Sequence, residues 1–343
     1  MGDRYRDAGV DLAEARRAVD LIARAAATTA TPAVIGGVGG FGSLFQFDTS
    51  THPEPVLVAS TDGVGTKLKV AIELARYDSI GIDLVHHCIN DIAVQGADPL
   101  FFLDYLAVGR LRAEVAAEIV TGIANACAAS GVALVGGETA ELPDLYRADD
   151  FDLAGFIVGV VARAELIDGS GVRAGDALLG LPSSGLHTNG YSLARRVFGE
   201  EDWARSAPGL ERTIGDELLE PHRSYLDEIR ILRRALRAAG GDALAFAHIT
   251  GGGWIDNIPR TLPLDVGVEV ELGSWPVPLI FSLIQERGDI GDDEMVHTFN
   301  LGIGLTCVVR PELAGVAQAA LPEVRRVGTV VPIAPGSARV SFV

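Results

Sequence analysis

The chain has 343 residues, and its 28 Lys+Arg stand against 46 Asp+Glu, which gives a formal net charge of −18. Hydrophobic residues make up 48% of the sequence, which excludes a disordered chain and predicts a packed protein of about two domains. The negative charge repels phosphate backbones and anionic lipids, so we expect no nucleic-acid partner and no membrane partner. Lys67 and Lys69 are the only lysines.

The three cysteines favour a reducing compartment. Cys88, Cys127 and Cys307 are odd in number and far apart, so neither a disulfide framework nor a zinc-ligand spacing is indicated. The first residues are polar, and no uncharged run approaches the roughly 18 residues of a membrane helix. We therefore expect a soluble, cytoplasmic protein.

Hydrophobic periodicity gives the elements of the N-terminal half in chain order. The predicted elements are an amphipathic helix over 11–27, a glycine-rich loop over 35–42, a strand over 44–47, a buried strand over 55–61 in an interior sheet, a helix over 82–94, a strand over 99–108, a helix over 113–130, and strands over 132–135 and 153–161.

A polar, turn-rich segment over 164–176 marks the predicted domain boundary, with domains at 1–170 and 171–343. Beyond it we predict a strand over 177–181, a helix from about Asn189, and strands near 266–270 and 301–309. Strands and helices alternate, with hairpin-like pairs, so the fold class is α/β or α+β.

The glycine-rich loop, Gly37 to Gly42, matches the dinucleotide pattern G-x-G-x-x-G by its letters alone. That pattern must follow a strand and open a helix, whereas here a strand-like segment follows, so the dinucleotide interpretation fails. Two interpretations stay open: a mobile linker, or a loop whose bare backbone N–H groups approach phosphate oxygens.

Three acidic segments suggest a site for a hard cation. Asp62 opens the turn Asp62-Gly63-Val64-Gly65-Thr66-Lys67, Asp91 lies inside a predicted helix, and Glu138 follows two glycines after a strand. An ordinary Asp-Gly turn and a solvated helix face are the plainer alternatives for the first two. Together the three carboxylates predict Mg²⁺ bound with nucleotide phosphates, as hard cations take oxygen ligands.

Two loops of the second half resemble anion sites. Ser183-Ser184-Gly185-Leu186-His187-Thr188-Asn189 joins a strand to a helix, and hydroxyl and N–H groups at a helix start can bind an anion. A capped turn is the alternative. His248-Ile249-Thr250-Gly251-Gly252-Gly253 precedes another predicted helix, which suggests a second phosphate site.

These motifs together resemble the phosphoribosylformylglycinamidine cyclo-ligase (aminoimidazole ribonucleotide synthetase) family. The resemblance runs nearly end to end. It rests on Tyr5-Arg6-Asp7-Ala8-Gly9-Val10-Asp11, the glycine loop, Asp62 to Leu68, Gly81 to Val85 with Asn90-Asp91, Pro99 to Tyr105, Gly136 to Glu141, Ser183 to Tyr191, and Thr250 to Gly253 with Asn257 to Arg260.

The resemblance implies a two-domain fold whose N-terminal domains pair in a homodimer as a β-barrel, with a C-terminal α/β domain. It also implies a reaction of de novo purine synthesis, in which ATP and formylglycinamidine ribonucleotide give aminoimidazole ribonucleotide, ADP and phosphate. Two alternatives stay open: a kinase of the same superfamily, such as thiamine-monophosphate kinase or selenophosphate synthetase, and a non-catalytic nucleotide-binding protein.

On this basis we assign roles residue by residue. The cofactors are ATP and Mg²⁺, with K⁺ as a further candidate cation. The predicted metal ligands are Asp62, Asp91 and Glu138; the ATP-binding residues are Gly39, Gly40, Gly42, Asp62, Gly63, Gly65, Thr66 and Lys67; the catalytic residues are His187, Asn189 and Lys67; and the substrate-binding residues are Ser183, Ser184, Gly251, Gly252 and Gly253.

Overall fold

A computed structural model of the chain describes residues 9, 11–37 and 39–343. The first motif of the resemblance, Tyr5 to Asp11, lies outside the described residues except for Gly9 and Asp11, and so does Val38 of the glycine loop. The described chain divides into an N-terminal unit, within 1–92 and 97–163, and a C-terminal unit, formed by 93–96 and 164–343.

In its described residues, the N-terminal unit combines four helices with two sheets. Its helices are α1 (Leu12–Ala27), α2 (Lys67–Glu73), α3 (Ile80–Ala93) and α4 (Ala113–Ala129). Its strands are β1 (Val34–Ile35), β2 (Leu44–Phe45), β3 (Pro55–Gly63), β4 (Asp98–Val108), β5 (Ala133–Glu141) and β6 (Phe151–Ala162). Strands β1 and β2 form a small ribbon, and the other four form one sheet in the order β3-β6-β4-β5.

Local chemistry explains the helix ends. The side chain of Asp11 caps α1 by accepting hydrogen bonds from the backbone N–H groups of Ala13 and Glu14. Gly131, at φ 70°, follows the end of α4, where a left-handed residue is needed and glycine takes it without strain.

One face of the four-stranded sheet is covered by helices, and the other is open. A Cβ at Gly155 of β6 would lie 2.9 Å from Leu84 of α3, so helix and strand are in close contact on that face. The opposite face exposes Leu57, Tyr105 and Phe156, which are 65%, 42% and 43% exposed. The prediction that 55–61 is a buried strand of an interior sheet is therefore wrong, because the side chains of β3 alternate between the covered face and the open face.

The C-terminal unit is built on a six-stranded sheet. Its strands are β7 (Ala177–Pro182), β8 (Ala245–His248), β9 (Val266–Val270), β10 (Ile303–Val309), β11 (Arg325–Pro332) and β12 (Val340–Phe342), in the order β12-β9-β11-β7-β10-β8. Its helices are α5 (Tyr191–Val197), α6 (Glu200–Trp203), α7 (Ile214–Leu218), α8 (Leu226–Ala238), α9 (Gly253–Asn257), α10 (Leu279–Gly288), α11 (Asp292–Thr298) and α12 (Ala314–Ala320).

The core of this unit lies against its sheet. Every residue of β8 and β10 is buried, as expected for apolar strands covered on both faces. Trp254 and Trp275 stack with ring centroids 5.0 Å apart within this core. Among the described residues, no helix is both long enough and apolar enough to cross a membrane.

Candidate functional site

Two of the three predicted metal ligands meet in the N-terminal unit. Asp62 lies near the end of β3 and Asp91 on α3, and the hydroxyl of Ser60 lies 3.4 Å from Oδ2 of Asp62 and 3.2 Å from Oδ2 of Asp91. His87 of α3 places Nε2 3.4 Å from Oδ1 of Asp62. Asn90, beside Asp91, is fully buried, so this turn of α3 is no solvated face. The donors are carboxylate and hydroxyl oxygens, the set that suits Mg²⁺.

The third predicted ligand, Glu138, does not join this pair within one chain. Cross-strand register aligns Asp62 with Gly155, Asp104 and Gly137, on the helix-covered face. Glu138 is the next residue of β5, so it points to the other face, three strands and about 14 Å away from β3. Within one chain the structure therefore places Asp62 and Asp91 together, and Glu138 stays a predicted ligand that lies apart from them.

The segment that carries Glu138 also differs from its prediction. We expected it to follow a strand, but β5 continues through it to Glu141. A register shift in the pairing of β4 with β5 and the lack of side chains at Gly136 and Gly137 allow this continuation. A Cβ at Gly137 would lie 2.4 Å from Oδ1 of Asp104, so only glycine fits there without a shift of that carboxyl group.

Lys67 occupies the interior. Its side chain is 0% exposed, and its Nζ lies 2.9 Å from Oδ1 and 2.8 Å from Oδ2 of Asp83, which is equally buried. An ammonium group held in this way does not face a solvent-accessible phosphate. The predicted phosphate and catalytic contacts of Lys67 are therefore corrected to a buried ion pair that joins α2 to α3.

The turn before Lys67 leads from β3 into α2. Gly65 has φ 64°, and its carbonyl accepts a hydrogen bond from the backbone N–H of Leu68. A Cβ at Gly63 would lie 3.3 Å from the carbonyl oxygen of Leu153, so the turn passes close to β6. Gly63, Gly65 and Thr66 thus continue the chain directly from Asp62, beside the carboxylate pair.

The glycine loop lines a separate cavity of the N-terminal unit. The cavity has a volume of about 330 Å³ and lies among the loop, helix α1 and strand β5. Val19 and Ile22 give it apolar walls, and Asp104 and Glu138 add carboxyl groups. Burial raises the pKa of Asp104 to about 7. The predicted ATP-binding residues found in this lining are Gly39, Gly40 and Gly42.

The loop between β7 and α5 carries the predicted catalytic residues His187 and Asn189. His187 has a strained φ of 62°, and its Nε2 accepts a hydrogen bond from the backbone N–H of Ser184 at 3.2 Å. This bond requires an unprotonated Nε2, so the proton of the neutral ring is on Nδ1. A Cβ at Gly304 would lie 2.4 Å from Cε1 of His187, so β10 needs a glycine at this position.

The triglycine loop, Gly251 to Gly253, adjoins the loop between β7 and α5. A Cβ at Gly251 would lie 3.3 Å from Oδ1 of Asn189. The Nδ2 atom of Asn189 is buried, and it has no hydrogen-bond partner in the part of the chain that the structure describes. The structure thus brings the two predicted substrate loops together, with an amide donor between them.

Two histidines that the sequence patterns left without a shared role lie beside His187. His222 stacks on His187 with ring centroids 4.0 Å apart, and its Nε2 lies 3.0 Å from Nε2 of His248. One nitrogen from each of the three rings lies within 4.8 Å of the other two. The stacked rings are only 18° from parallel, so their in-plane lone pairs run side by side and do not converge on one metal ion. Positions so far apart in the chain give no local signal of this cluster.

Family models match both units. The model described as AIR synthase related protein, N-terminal domain, matches residues 44–161, and that of the C-terminal domain matches residues 173–340. Among solved structures, hydrogenase maturation protein HypE in complex with ATP covers 95% of this chain and 90% of its own, at 19% identity and TM-score 0.66. Thiamine-monophosphate kinase from Stenotrophomonas maltophilia K279a covers 95% of both chains, at 18% identity and TM-score 0.64.

These matches define a two-domain protein with the AIR synthase related fold. Curated relatives are more specific. Phosphoribosylformylglycinamidine cyclo-ligase of Desulfitobacterium hafniense (strain DSM 10664 / DCB-2) is 51% identical over 312 residues, which is 91% of each chain. The protein of the same name from Anaeromyxobacter dehalogenans (strain 2CP-1 / ATCC BAA-258) is 50% identical over 341 residues, 97% of each chain. The chain belongs to the phosphoribosylformylglycinamidine cyclo-ligase family.

Proposed function

We propose that the protein is the ATP-dependent cyclo-ligase that converts formylglycinamidine ribonucleotide to aminoimidazole ribonucleotide in purine biosynthesis, with ADP and phosphate as the other products. The observation that carries the proposal is the identity of about half of all residues to cyclo-ligases over nine-tenths of the chain. The geometry agrees with it: one unit has a pair of hard-cation ligands, and the other has two neutral loops suited to a phosphorylated substrate.

The chemical difficulty is that a formamide oxygen is a poor leaving group. Transfer of the γ-phosphoryl group of ATP to that oxygen turns it into the oxygen of a phosphate ester. The amidine nitrogen then attacks the same carbon, the C–O bond breaks, inorganic phosphate leaves, and the nitrogen loses a proton as the imidazole ring closes. The protein contributes mainly positioning and charge neutralisation, as in phosphoryl transfer generally.

Magnesium would be held by Asp62 and Asp91, with the hydroxyl of Ser60 beside both carboxylates. When bound, the ion neutralises charge on the phosphate oxygens of ATP. The carboxylates are already oriented: Asp62 by His87, and both by Ser60. The glycine loop and its cavity are the proposed contact of the N-terminal unit with ATP, through Gly39, Gly40 and Gly42.

The C-terminal unit is proposed to hold the ribonucleotide. Ser183, Ser184 and the triglycine loop are the proposed contacts with its 5′-phosphate. Asn189 donates from Nδ2 to the formyl oxygen or to the phosphoryl group, because that donor is buried and has no partner within the described chain. His187 is the proposed proton donor or acceptor in this unit, with the proton on Nδ1 in its neutral form.

We also propose a homodimer formed through the open face of the N-terminal sheet. Leu57, Tyr105 and Phe156 project from three neighbouring strands of that face and are each at least 42% exposed. A sheet normally buries its apolar face against another layer, and a second copy of the same sheet supplies one, as in a shared barrel. The three cysteines are free and buried, which supports a reducing cytoplasm.

The proposal is tested by incubating the protein with ATP, Mg²⁺ and formylglycinamidine ribonucleotide. We expect the aminoimidazole product and ADP in equal amounts. ADP released without that substrate, or only with thiamine monophosphate, would overturn the proposal. In Asp91→Asn we expect turnover to fall at least about 100-fold with the fold unchanged, since one of two charged ligands is lost. Near-normal turnover of this variant at saturating Mg²⁺ would remove Asp91 from the metal site.

A further inference from the structure

Two buried asparagines lie behind the two substrate loops of the C-terminal unit. The first loop is 183–190 and the second loop is 250–253. Asn300, just before β10, and Asn257, at the end of α9, are each 3% exposed. A buried primary amide offers two donors and two acceptor positions, and it is stable only where they are satisfied.

Asn300 fixes the first loop. Its Oδ1 accepts a hydrogen bond from the hydroxyl of Ser183 at 2.9 Å and another from the backbone N–H of Gly302 at 2.8 Å. Its Nδ2 donates to the carbonyl oxygen of Gly185 at 2.8 Å. One side chain therefore sets both the side chain at the start of the loop and the direction of a carbonyl group two residues later.

Asn257 fixes the second loop. Its Nδ2 lies within hydrogen-bond distance of three carbonyl oxygens, those of Thr250, Gly251 and Gly253, at 3.2, 3.1 and 2.8 Å. Its Oδ1 accepts from the hydroxyl of Thr250 at 3.2 Å and from Arg260 at 3.3 Å. The loop carbonyl groups are thereby directed toward Asn257.

The two loops form one connected structure. The indole N–H of Trp254, which directly follows the triglycine loop, donates to the backbone carbonyl of Asn300 at 3.0 Å. Gly251 of the second loop adjoins the side chain of Asn189 of the first. We therefore expect a change at either asparagine to affect both loops.

Carbonyl direction decides whether such a loop binds an anion. A loop with outward carbonyl oxygens repels phosphate, whereas a loop whose carbonyl groups are turned inward offers its N–H groups. This matters in a chain of net charge −18, because both loops lack a lysine. We propose that Asn257 and Asn300 are positioning residues that turn the carbonyl groups of both loops inward and so create one binding surface for the phosphate of a ribose phosphate. The inference rests on the proposed function for the identity of the substrate.

The test compares Asn257→Ala and Asn300→Ala with Asn125→Ala, which makes the same change on the exposed surface of α4. Calorimetry measures the dissociation constants of ribose 5-phosphate and of ribose for each protein. Steady-state kinetics measures kcat and KM for formylglycinamidine ribonucleotide and KM for ATP. Alanine at 257 or 300 removes several hydrogen bonds at once, so a milder variant is added: Thr250→Val removes only the hydrogen bond to Oδ1 of Asn257.

We expect the dissociation constant of ribose 5-phosphate to rise at least about 10-fold in both alanine variants and about 3-fold in Thr250→Val, in line with the loss of loop hydrogen bonds. We expect KM of the ribonucleotide to rise in parallel, while kcat and KM of ATP change less than about twofold. Asn125→Ala should match the unaltered protein. Unchanged ribose 5-phosphate binding in folded variants would overturn the inference, and so would its absence in the unaltered protein.

The same data separate this inference from the proposed function. Turnover of formylglycinamidine ribonucleotide with unaltered phosphate binding in the variants refutes the positioning role alone. Asparagine-dependent binding of ribose 5-phosphate without any turnover supports the positioning role and refutes the proposed substrate. A general loss of structure would weaken the binding of ribose 5-phosphate, of ribose and of ATP together. That result would also count against a positioning role.

Discussion

The ion pair of Lys67 with Asp83 shows at the scale of one residue how burial changes a role. One of the two lysines of an acidic chain looked suited to ATP phosphates. Its position at the start of α2 instead places the ammonium group against Asp83 of α3, where both side chains are fully buried. The motif around Lys67 could be recognised in the sequence, but the direction of the Lys67 side chain could not.

We expect Lys67→Met to lower the free energy of unfolding by about 3–5 kcal/mol, because it leaves the carboxylate of Asp83 buried without its cation. The double variant Lys67→Met/Asp83→Asn should recover at least half of this loss, because no uncompensated charge remains. Urea denaturation of Lys67→Met, of Asp83→Asn and of the double variant gives the coupling energy between the two residues. Additive effects of the two substitutions would contradict the ion pair.

Asp104 gives a second expectation at this scale. Burial raises its pKa to about 7 from an ordinary value of 3.8. The folded protein therefore binds a proton that the unfolded chain releases between these values, so the contribution of Asp104 to stability declines as pH rises from about 4 through 7. Measured relative to Asp104→Asn, the free energy of unfolding of the unaltered protein should fall by roughly 2–4 kcal/mol between pH 4 and pH 8. A stability difference that is independent of pH would refute the raised pKa.

At the scale of elements, the helices were the most predictable part. Helix α1 begins one residue after the start of its predicted range, and α3 begins two residues before its own, because the 3.6-residue period and the capping residues are local signals. Strand β5 could not be bounded in this way. Its two glycines look like the end of a strand, and only the partner strand β4 shows why the ladder continues through them.

The contact of α3 with α4 depends on a glycine whose role the sequence does not show. A Cβ at Gly81 would lie 2.2 Å from the carbonyl oxygen of Ile119 and 2.4 Å from the backbone nitrogen of Ile123. We expect Gly81→Ala to separate the helices and to destabilise the protein by about 1–3 kcal/mol. In Gly315→Ala the added Cβ meets no atom within 4 Å, so helix propensity should make that control neutral or slightly stabilising.

Thermal and chemical unfolding of the two glycine variants compare the effects directly. A displacement of α3 would also displace Asp91 of the carboxylate pair, because Asp91 lies on α3. A Gly81→Ala protein as stable as Gly315→Ala would show that the two helices are not in the described contact.

At the scale of the whole molecule, the sequence identified two units and the family, but not which site residues share a surface. The separation of Glu138 from Asp62 follows from sheet order and strand alternation, and the meeting of His187, His222 and His248 follows from a fold that joins distant loops. Neither fact has a local signal. The proposed phosphate loops also explain how a chain of net charge −18 could bind phosphate. They would use backbone N–H groups and an amide in place of lysine.

The proposed dimer is testable at the same scale. Phe156→Glu places a charge in the centre of the open face of the N-terminal sheet, and we expect it to shift the protein from dimer to monomer in light scattering after size exclusion. Leu264→Glu makes a similar change at a residue that is 87% exposed in the C-terminal unit, and it should leave the mass unchanged. A monomeric unaltered protein, or a dimeric Phe156→Glu variant, would refute the proposed interface.

The central claim is that the formamide oxygen leaves as phosphate while the ring closes. Its most direct measurement uses formylglycinamidine ribonucleotide labelled with ¹⁸O at the formyl oxygen, together with ATP and Mg²⁺, followed by mass spectrometry of the inorganic phosphate. We expect one ¹⁸O atom in each phosphate formed with aminoimidazole ribonucleotide. Unlabelled phosphate, with the ¹⁸O found in water or retained in the organic product, would contradict the proposed mechanism.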